Sequence, residues 1–478
     1  MLLSPVVTRK PQKARCAPNR EGRGEGENSL GLIRRVLTVS IAGLEHTHTN
    51  KETRKMKKAF AIVALALWAC VAASAWSGPL PEAKPEDVGM SSQRLEHMTT
   101  MIQRAVDSGD LPGAVVMVAR KGKLVYSRAV GMQDKAKGIP MKTDSIFRAY
   151  SMTKPIVTVA AMILVEEGHL GLHEAISTYL PEFKNMTVAV ETFDPVTGAG
   201  TFYTVPAKRQ ITVHDLLRHT SGLTYGVFLP KSTQLRKLYD DANLWTQPNL
   251  DAFSKALAKI PLRFEPGTTW EYGHSTDILG RVVEVVSGQP LDVFVAKRVL
   301  EPLKMVDTSW YVPADKVSRF AQPGPGTEKN WIPEALYDFT KPATLFPGGH
   351  GMVTTAGDYL RFSQMLENGG ELEGVRILSP ITVRYMASDH VLGSGIARGN
   401  FLPGWGYGFG LGFGVRLETG QAASMGSPGE FYWGGYAGTA FFIDPKQELA
   451  PVMMFQAPEK RAHYRVLFRD IVYQAILQ

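Results

Sequence analysis

From about residue 80 onward the chain switches between two hydrophobic periods, and the switches predict the order of its elements. "GAVVMVARKGKLVYSRAVG", residues 113 to 131, places β-branched and apolar residues on both sides of Lys121-Gly122-Lys123, which predicts a hairpin. From Ile156 to Leu170 the apolar spacing becomes three and four, through Val157, Ala160, Ala161, Leu164 and Val165, with Gly168 as the stop. That pattern predicts a helix over 152 to 167. Further helical patterns lie at 212 to 219, 250 to 259 and 275 to 287, separated by loops such as "DPVTGAG". Near the C-terminus "WGYGFGLGFGV", residues 405 to 415, alternates bulky residues with glycine. It reads as one strand whose bare face packs closely on a helix. "HYRVLFRDIVYQAIL" reads as a terminal amphipathic helix. The order is strands, helices, strands, helix: a sheet lobe, about 76–150 and 345–478, interrupted by a helical lobe, about 151–344.

The chain ahead of this region has a different character. Residues 1–55 hold "RKPQKAR" and "NREGRGEGEN" without a sustained period, and are expected to be disordered or untranslated. At Met56 begins "MKKAFAIVALALWACVAASAWSGP": two lysines, a short apolar run, then Ala73-Ser74-Ala75. Residues 56–75 therefore read as a secretory signal peptide, which places the protein in the periplasm or outside the cell, with no stable membrane insertion once the signal is cleaved. Charge supports the division. Residues 1–75 carry 13 Lys and Arg against 5 Asp and Glu, and removing them from the chain's 53 and 45 leaves 40 of each. The remaining 76–478 is neutral, which argues against a nucleic-acid partner. Both cysteines, Cys16 and Cys70, fall in the part set aside, so no disulfide or cysteine metal site is expected in the mature domain. "LWAC" is a poor lipidation signal for Cys70.

Candidate chemistry centres on "FRAYSMTKPIVT", residues 147 to 158. Ser151 and Lys154 stand three apart at the mouth of a predicted helix, on one face. Serine at a helix start is also a common cap, and Pro155 is tolerated in a first turn. The chemical alternative is a nucleophile whose proton goes to a desolvated lysine. The chain has no second Ser-x-x-Lys and no Gly-x-Ser-x-Gly, so a nucleophile-elbow hydrolase has no candidate serine. "EPGTTWEYGHSTDILG" puts Tyr272 in a loop just before a helix. "EFYWGGYAGTAFFIDP" carries a short glycine-bearing strand, Trp433-Gly434-Gly435, able to bring backbone N–H groups near a substrate.

At these residues the chain resembles the serine β-lactamase and penicillin-binding-protein superfamily, and within it the family VIII carboxylesterases, which are similar to class C β-lactamases. The resemblance extends over nearly all of residues 80–475, including "HDLLRHTSGL", "FEPGTTWEYGHS" and "GGHGMVTTAGDYLRF". It implies an α+β fold of the β-lactamase/transpeptidase type: an antiparallel sheet flanked by helices, with an inserted mainly helical lobe. It implies Ser151 as nucleophile, Lys154 as neighbouring base or proton shuttle, Tyr272 as the tyrosine of Tyr-x-Asn, and the N–H groups of Ser151 and Tyr436 as oxyanion hole. Tyr150, His274, His350, Trp433, Gly434 and Gly435 are then expected to line the substrate. Two positions depart from the lactamase pattern. His274 stands where that motif has asparagine, and Trp433 where Lys-Thr-Gly has lysine. Losing that cation lowers affinity for an anionic substrate by about 1.5–3 kcal/mol, and tryptophan offers an apolar wall, which favours neutral esters.

Free tyrosine and lysine titrate near 10 and 10.4, so at neutral pH each is mostly protonated. Packed together they titrate as a coupled pair, and the base is not assigned to Lys154 or Tyr272 alone. The scheme uses no metal or organic cofactor. His169 and His173 read as solvated loop residues, and His214 and His219 as structural hydrogen-bonders. Three functions follow: a serine carboxylesterase for short to medium acyl esters, acting on a small-molecule ester; a β-lactamase or D-peptidase using the same groups on amides; and a non-catalytic penicillin-binding-like sensor.

Overall fold

In the computed structural model, which describes residues 79–196, 200–324, 338–399 and 401–478, eight strands form the main sheet. They are β1 (Gly113–Arg120), β2 (Lys123–Asp134), β3 (Ile139–Pro140), β4 (Tyr407–Phe409), β5 (Gly414–Arg416), β6 (Phe431–Gly434), β7 (Gly438–Ile443) and β8 (Leu449–Gln456). Their order is β4-β5-β6-β7-β8-β1-β2-β3, and every neighbouring pair is antiparallel. The fold class is the expected one, an antiparallel sheet with helices on both faces. The segments 1–55 and 56–75, Cys16 and Cys70 lie outside the described residues.

Among the described residues, the helices of eight residues or more are α1 (Ser92–Asp107), α2 (Thr153–Glu166), α3 (Gln234–Asp241), α4 (Leu250–Leu257), α5 (Ser275–Ser287), α6 (Ala356–Glu367) and α7 (Arg461–Gln474). The central strand β1 is buried along its whole length, and the period of two sends alternate residues to opposite cores. Ala114, Val116 and Val118 join Leu95 and Ile102 of α1 and Phe468 of α7. Val115, Met117 and Ala119 join Ile156 of α2 and Leu360 of α6. Each fully buried valine contributes about 1.5–3 kcal/mol, so β1 anchors both layers.

The hairpin at 113–131 forms as expected, with a tighter turn. Lys121 and Gly122 alone make it, both left-handed at φ 51° and 69°, while Lys123 already pairs with Arg120. "WGYGFGLGFGV" does not run as one strand. It folds back as the hairpin β4–β5, closed by the Gly410 N–H donating to Phe413 at 2.8 Å. Its unbroken alternation hides the turn. The pattern at 212–219 shortens to Val213–Leu217, capped by Thr212, whose Oγ1 accepts the Asp215 N–H at 3.2 Å, and it stops before the left-handed His219, φ 58°. The pattern at 250–259 ends at Leu257, and that at 275–287 forms as α5. A hairpin of Thr187–Phe193 with Gly200–Pro206 has no counterpart in the sequence reading. Among the described residues no helix is long and apolar enough to cross a membrane.

Candidate active site

The chain enters α2 through a short 3₁₀ turn, Tyr150–Met152, and Tyr150 holds φ at 45°. No side chain caps this turn or α2. The half-buried Ser151 therefore does not serve as an N-cap, which removes the bland alternative for Ser-x-x-Lys. Its Oγ instead accepts from Lys154 Nζ at 3.4 Å, one turn along the same face.

Lys154 is almost wholly buried, with 1% of its surface exposed, and its ammonium is surrounded by acceptors. Nζ donates to the Gly349 carbonyl at 2.7 Å and to Tyr225 Oη at 3.1 Å. It also lies 4.5 Å from the centroid of the Tyr272 ring, within cation–π reach. The 349 loop reaches it because Phe147–Arg148 pairs with Val353–Thr354, which brings residues 349–352 alongside the serine turn.

The two tyrosines come from separate loops, with ring centroids 5.5 Å apart. Each is held by the residue before it: Thr224 Oγ1 donates to Glu271 Oε1 at 2.7 Å, and Arg263 donates to the same oxygen at 2.7 Å. Burial, reinforced by the nearby Asp277 and Tyr272, pushes the Tyr225 hydroxyl well above the usual phenol range. Tyr225 thus stays protonated where Ser151 would react.

Asp277, in the first turn of α5, is fully buried. Its Oδ2 lies 2.9 Å from His274 Nδ1, and its Oδ1 accepts the Gly349 N–H at 2.7 Å. Burial opposes its ionisation, but the His274 hydrogen bond and the surrounding positive charge hold the carboxyl below its ordinary range. His350 stands edge-on to Trp245, ring centroids 4.4 Å apart, and burial lowers its pKa to about 4. An NMR titration of the His350 ring is expected to show a midpoint near pH 4, and a midpoint near 6.5 would mean that the ring is solvated. The lowered value makes protonation costly in the folded state, so this group's contribution to stability is present above pH 6.5 and lost as pH falls through about 4. Asp358, raised to about 6 by burial, acts in the opposite sense over part of that range, so the titration is a cleaner readout than a melting curve.

A cavity of about 560 Å³ opens beside Ser151. Tyr150, Tyr225, Phe228, Tyr239, Trp245, Tyr272 and Tyr436 wall it with aromatic rings, and His274 and His350 line it as well. Tyr436 packs on Tyr150, ring centroids 5.8 Å apart. Arg236, in the same wall, is held by Asp240 at 2.8 Å.

Trp433 departs from the expected placement. It is not among the residues lining the cavity; it is buried behind Tyr272, and its Nε1 donates to Tyr272 Oη at 3.3 Å. The indole supports the tyrosine from behind. Gly434 and Gly435 are likewise absent from the lining. A Cβ at Gly435 would stand 2.2 Å from the Ala149 carbonyl, so the bare position lets the end of β6 approach the serine turn. Tyr436 reaches the cavity by this approach. His214 meets His390 at 3.1 Å, a structural contact as expected, and among the described residues no cluster suited to a metal ion occurs.

Sequence reading missed Tyr225, Asp277 and Trp245. Tyr225 lies two residues beyond "HDLLRHTSGL". Asp277 carried a readable signal: a lone carboxylate in the first turn of the helix predicted over 275–287, directly before Ile278 and Leu279; the structure buries the whole of Ser275 to Gly280.

Residues 98–474 match the Beta-lactamase family. The chain is 31% identical over 422 residues to Esterase EstB of Burkholderia gladioli, covering 82% of this chain and 98% of that one. It is 31% identical over 404 residues to the lovastatin esterase of Penicillium rubens, covering 79% and 98%. Its fold superposes on that of EstCE1, a hydrolase with promiscuous acyltransferase activity, with a TM-score of 0.66 at 28% identity, covering 80% of this chain and 99% of that one.

Proposed function

Since the chain belongs to the Beta-lactamase family and is a serine hydrolase within it, we propose that its substrate is a carboxylic ester of short to medium acyl chain, cleaved through an acyl-serine. The observation that carries this reading is the cavity beside Ser151. Its walls are mainly aromatic, and Arg236, the only Lys or Arg among its lining residues, already pairs with Asp240. Such a cavity suits a neutral, apolar arm and offers no ready cation to a carboxylate. That two relatives are named as esterases supports the same choice.

In this reading Ser151 Oγ attacks the ester carbonyl while its proton passes to the coupled group of Lys154 and Tyr272. Tyr225, held in its protonated form, donates to or accepts from Lys154 without serving as the base. The tetrahedral oxyanion is received by the backbone N–H groups of Ser151 and Tyr436, each such donor being worth about 2.7–4 kcal/mol. Collapse breaks the bond to the alkoxide, which leaves as the alcohol with the proton taken from Ser151. A water, deprotonated by the same pair, then attacks the acyl-serine, releasing the acid and returning the proton to Ser151.

A direct comparison of p-nitrophenyl butyrate with nitrocefin on the purified protein tests the choice of substrate. The expected kcat/KM for the ester exceeds that for the anionic lactam by about 10- to 150-fold, the equivalent of one lost charge-assisted contact. The reverse ratio would make the protein a β-lactamase. Turnover of neither, with stoichiometric acylation at most, would make it a sensor.

A further inference from the structure

Besides Ser151 and Tyr225, Lys154 Nζ has one hydrogen-bond partner among the described residues, the Gly349 carbonyl, and a buried carboxylate holds that residue from its other side. Asp277 Oδ1 takes the Gly349 N–H at 2.7 Å, and the carbonyl of that same residue takes Lys154 Nζ at 2.7 Å. Asp277 Oδ2 meets His274 Nδ1 at 2.9 Å. The carboxylate is ionised and can only accept, so Nδ1 carries a proton and Nε2 is the nitrogen left to His274 for any ligand in the cavity. Position 349 admits no side chain. A Cβ there would stand 2.8 Å from Asp277 Oδ1 and 2.7 Å from Tyr225 Oη.

We infer that Asp277 is the positioning residue of this site: through the Gly349 peptide it sets where Lys154 Nζ stands relative to Ser151, and through His274 it sets which nitrogen faces the substrate. This rests on Ser151 and Lys154 acting as nucleophile and proton acceptor. Asp277 touches neither the nucleophile nor the ester. It acts by fixing a backbone carbonyl, and it supplies buried negative charge near the buried Lys154 side chain. The groups that feel that charge are His274 at the entrance of α5, His350 on the loop beside it, Lys154 on α2, and Tyr225 and His219 from the segment after Val213–Leu217.

Two substitutions separate charge from geometry. Asp277→Asn keeps an acceptor for the Gly349 N–H and removes the charge. With that carboxylate gone, the protonated form of the base is less favoured, so the ascending limb of the kcat/KM profile moves to lower pH, by about one unit. Reversing the His274 tautomer and loosening the lysine lowers kcat by about 10- to 100-fold, with KM for p-nitrophenyl butyrate changed less than about threefold. Asp277→Glu keeps the charge and misplaces it, so kcat falls similarly while the limb stays in place. A merely structural aspartate would move neither the limb nor kcat once the fraction of folded protein is accounted for. Asp277→Asn with wild-type kcat and an unmoved limb overturns the inference, as does Asp277→Glu with wild-type kcat. Should neither variant fold, Asp277 is a stability residue and the inference is likewise overturned. If the wild-type protein itself has no ester turnover, the reading of Ser151 and Lys154 as an esterase pair fails first, which the wild-type profile shows before any variant is compared.

Discussion

Replacing Ser151 by alanine is expected to abolish ester turnover, lowering kcat by about 10⁴-fold or more, while the melting temperature stays close to that of the wild type. The two halves of this expectation come from one observation. Ser151 sits in a turn that no side chain caps, and its hydroxyl meets the lysine ammonium at 3.4 Å. Deleting a cap would cost about 0.5–2 kcal/mol. Deleting this hydroxyl removes the attacking atom and leaves the helix start as it was. Activity is read with p-nitrophenyl butyrate and stability by thermal unfolding. A variant that melts normally and keeps even one hundredth of the wild-type rate would show that the nucleophile lies elsewhere. Mass spectrometry after incubation with an acylating ester adds a positive test, because the wild type gains one acyl group and Ser151→Ala gains none.

Lys154→Met is expected to lower kcat by about 10²- to 10⁴-fold, the usual range for losing a positioned proton acceptor. Methionine matches the length of the stem and can lie in the same aromatic slot. Structural consequences partly cancel. The Gly349 carbonyl and the Tyr225 hydroxyl lose their donor, at about 1–3 kcal/mol for each buried group left unpaired, and Asp277 loses a neighbouring positive charge. Against this, an ammonium no longer has to be stripped of water. The diagnostic measurement is the pre-steady-state trace: with acylation slowed, the burst of nitrophenol expected of the wild type disappears. A kcat within tenfold of wild type, burst intact, would shift the whole burden of proton transfer to Tyr272.

The parts of this site that the sequence discloses are those set by short-range geometry. Ser151 and Lys154 are three residues apart, and a helical turn brings their side chains together whatever the rest of the chain does. Tyr272 stands just ahead of a helix whose period is unbroken. The placement of Trp433 is not legible, for the opposite reason. Its neighbours along β6 are known from the sequence, but which face of that strand meets the cavity depends on how Tyr272 and the 149–151 turn dock on it. The same holds for Gly349 and Asp277. Their partners are separated by 195 residues in the Lys154 contact and 72 in the Asp277 contact, and no local pattern encodes such a meeting. On the fold, the strand β1 is legible from its unbroken apolar, β-branched run and the helix α5 from its period. The β4–β5 hairpin is not, because its turn repeats the glycine alternation of its strands.

Tyr150 gives the site a different kind of consequence. It carries a bulky ring on a left-handed backbone, φ 45°, one residue before the serine, a conformation that costs a residue other than glycine about 1–3 kcal/mol. The ring is buried against Tyr436 and forms part of the cavity wall. Substituting glycine would relax the backbone and remove the wall in the same step. Position 150 is therefore a point where selection for thermal robustness and selection for turnover pull in opposite directions. Among relatives adapted to heat, a compensating gain should be sought in the two cores flanking β1, and the aromatic residue beside the nucleophile should persist.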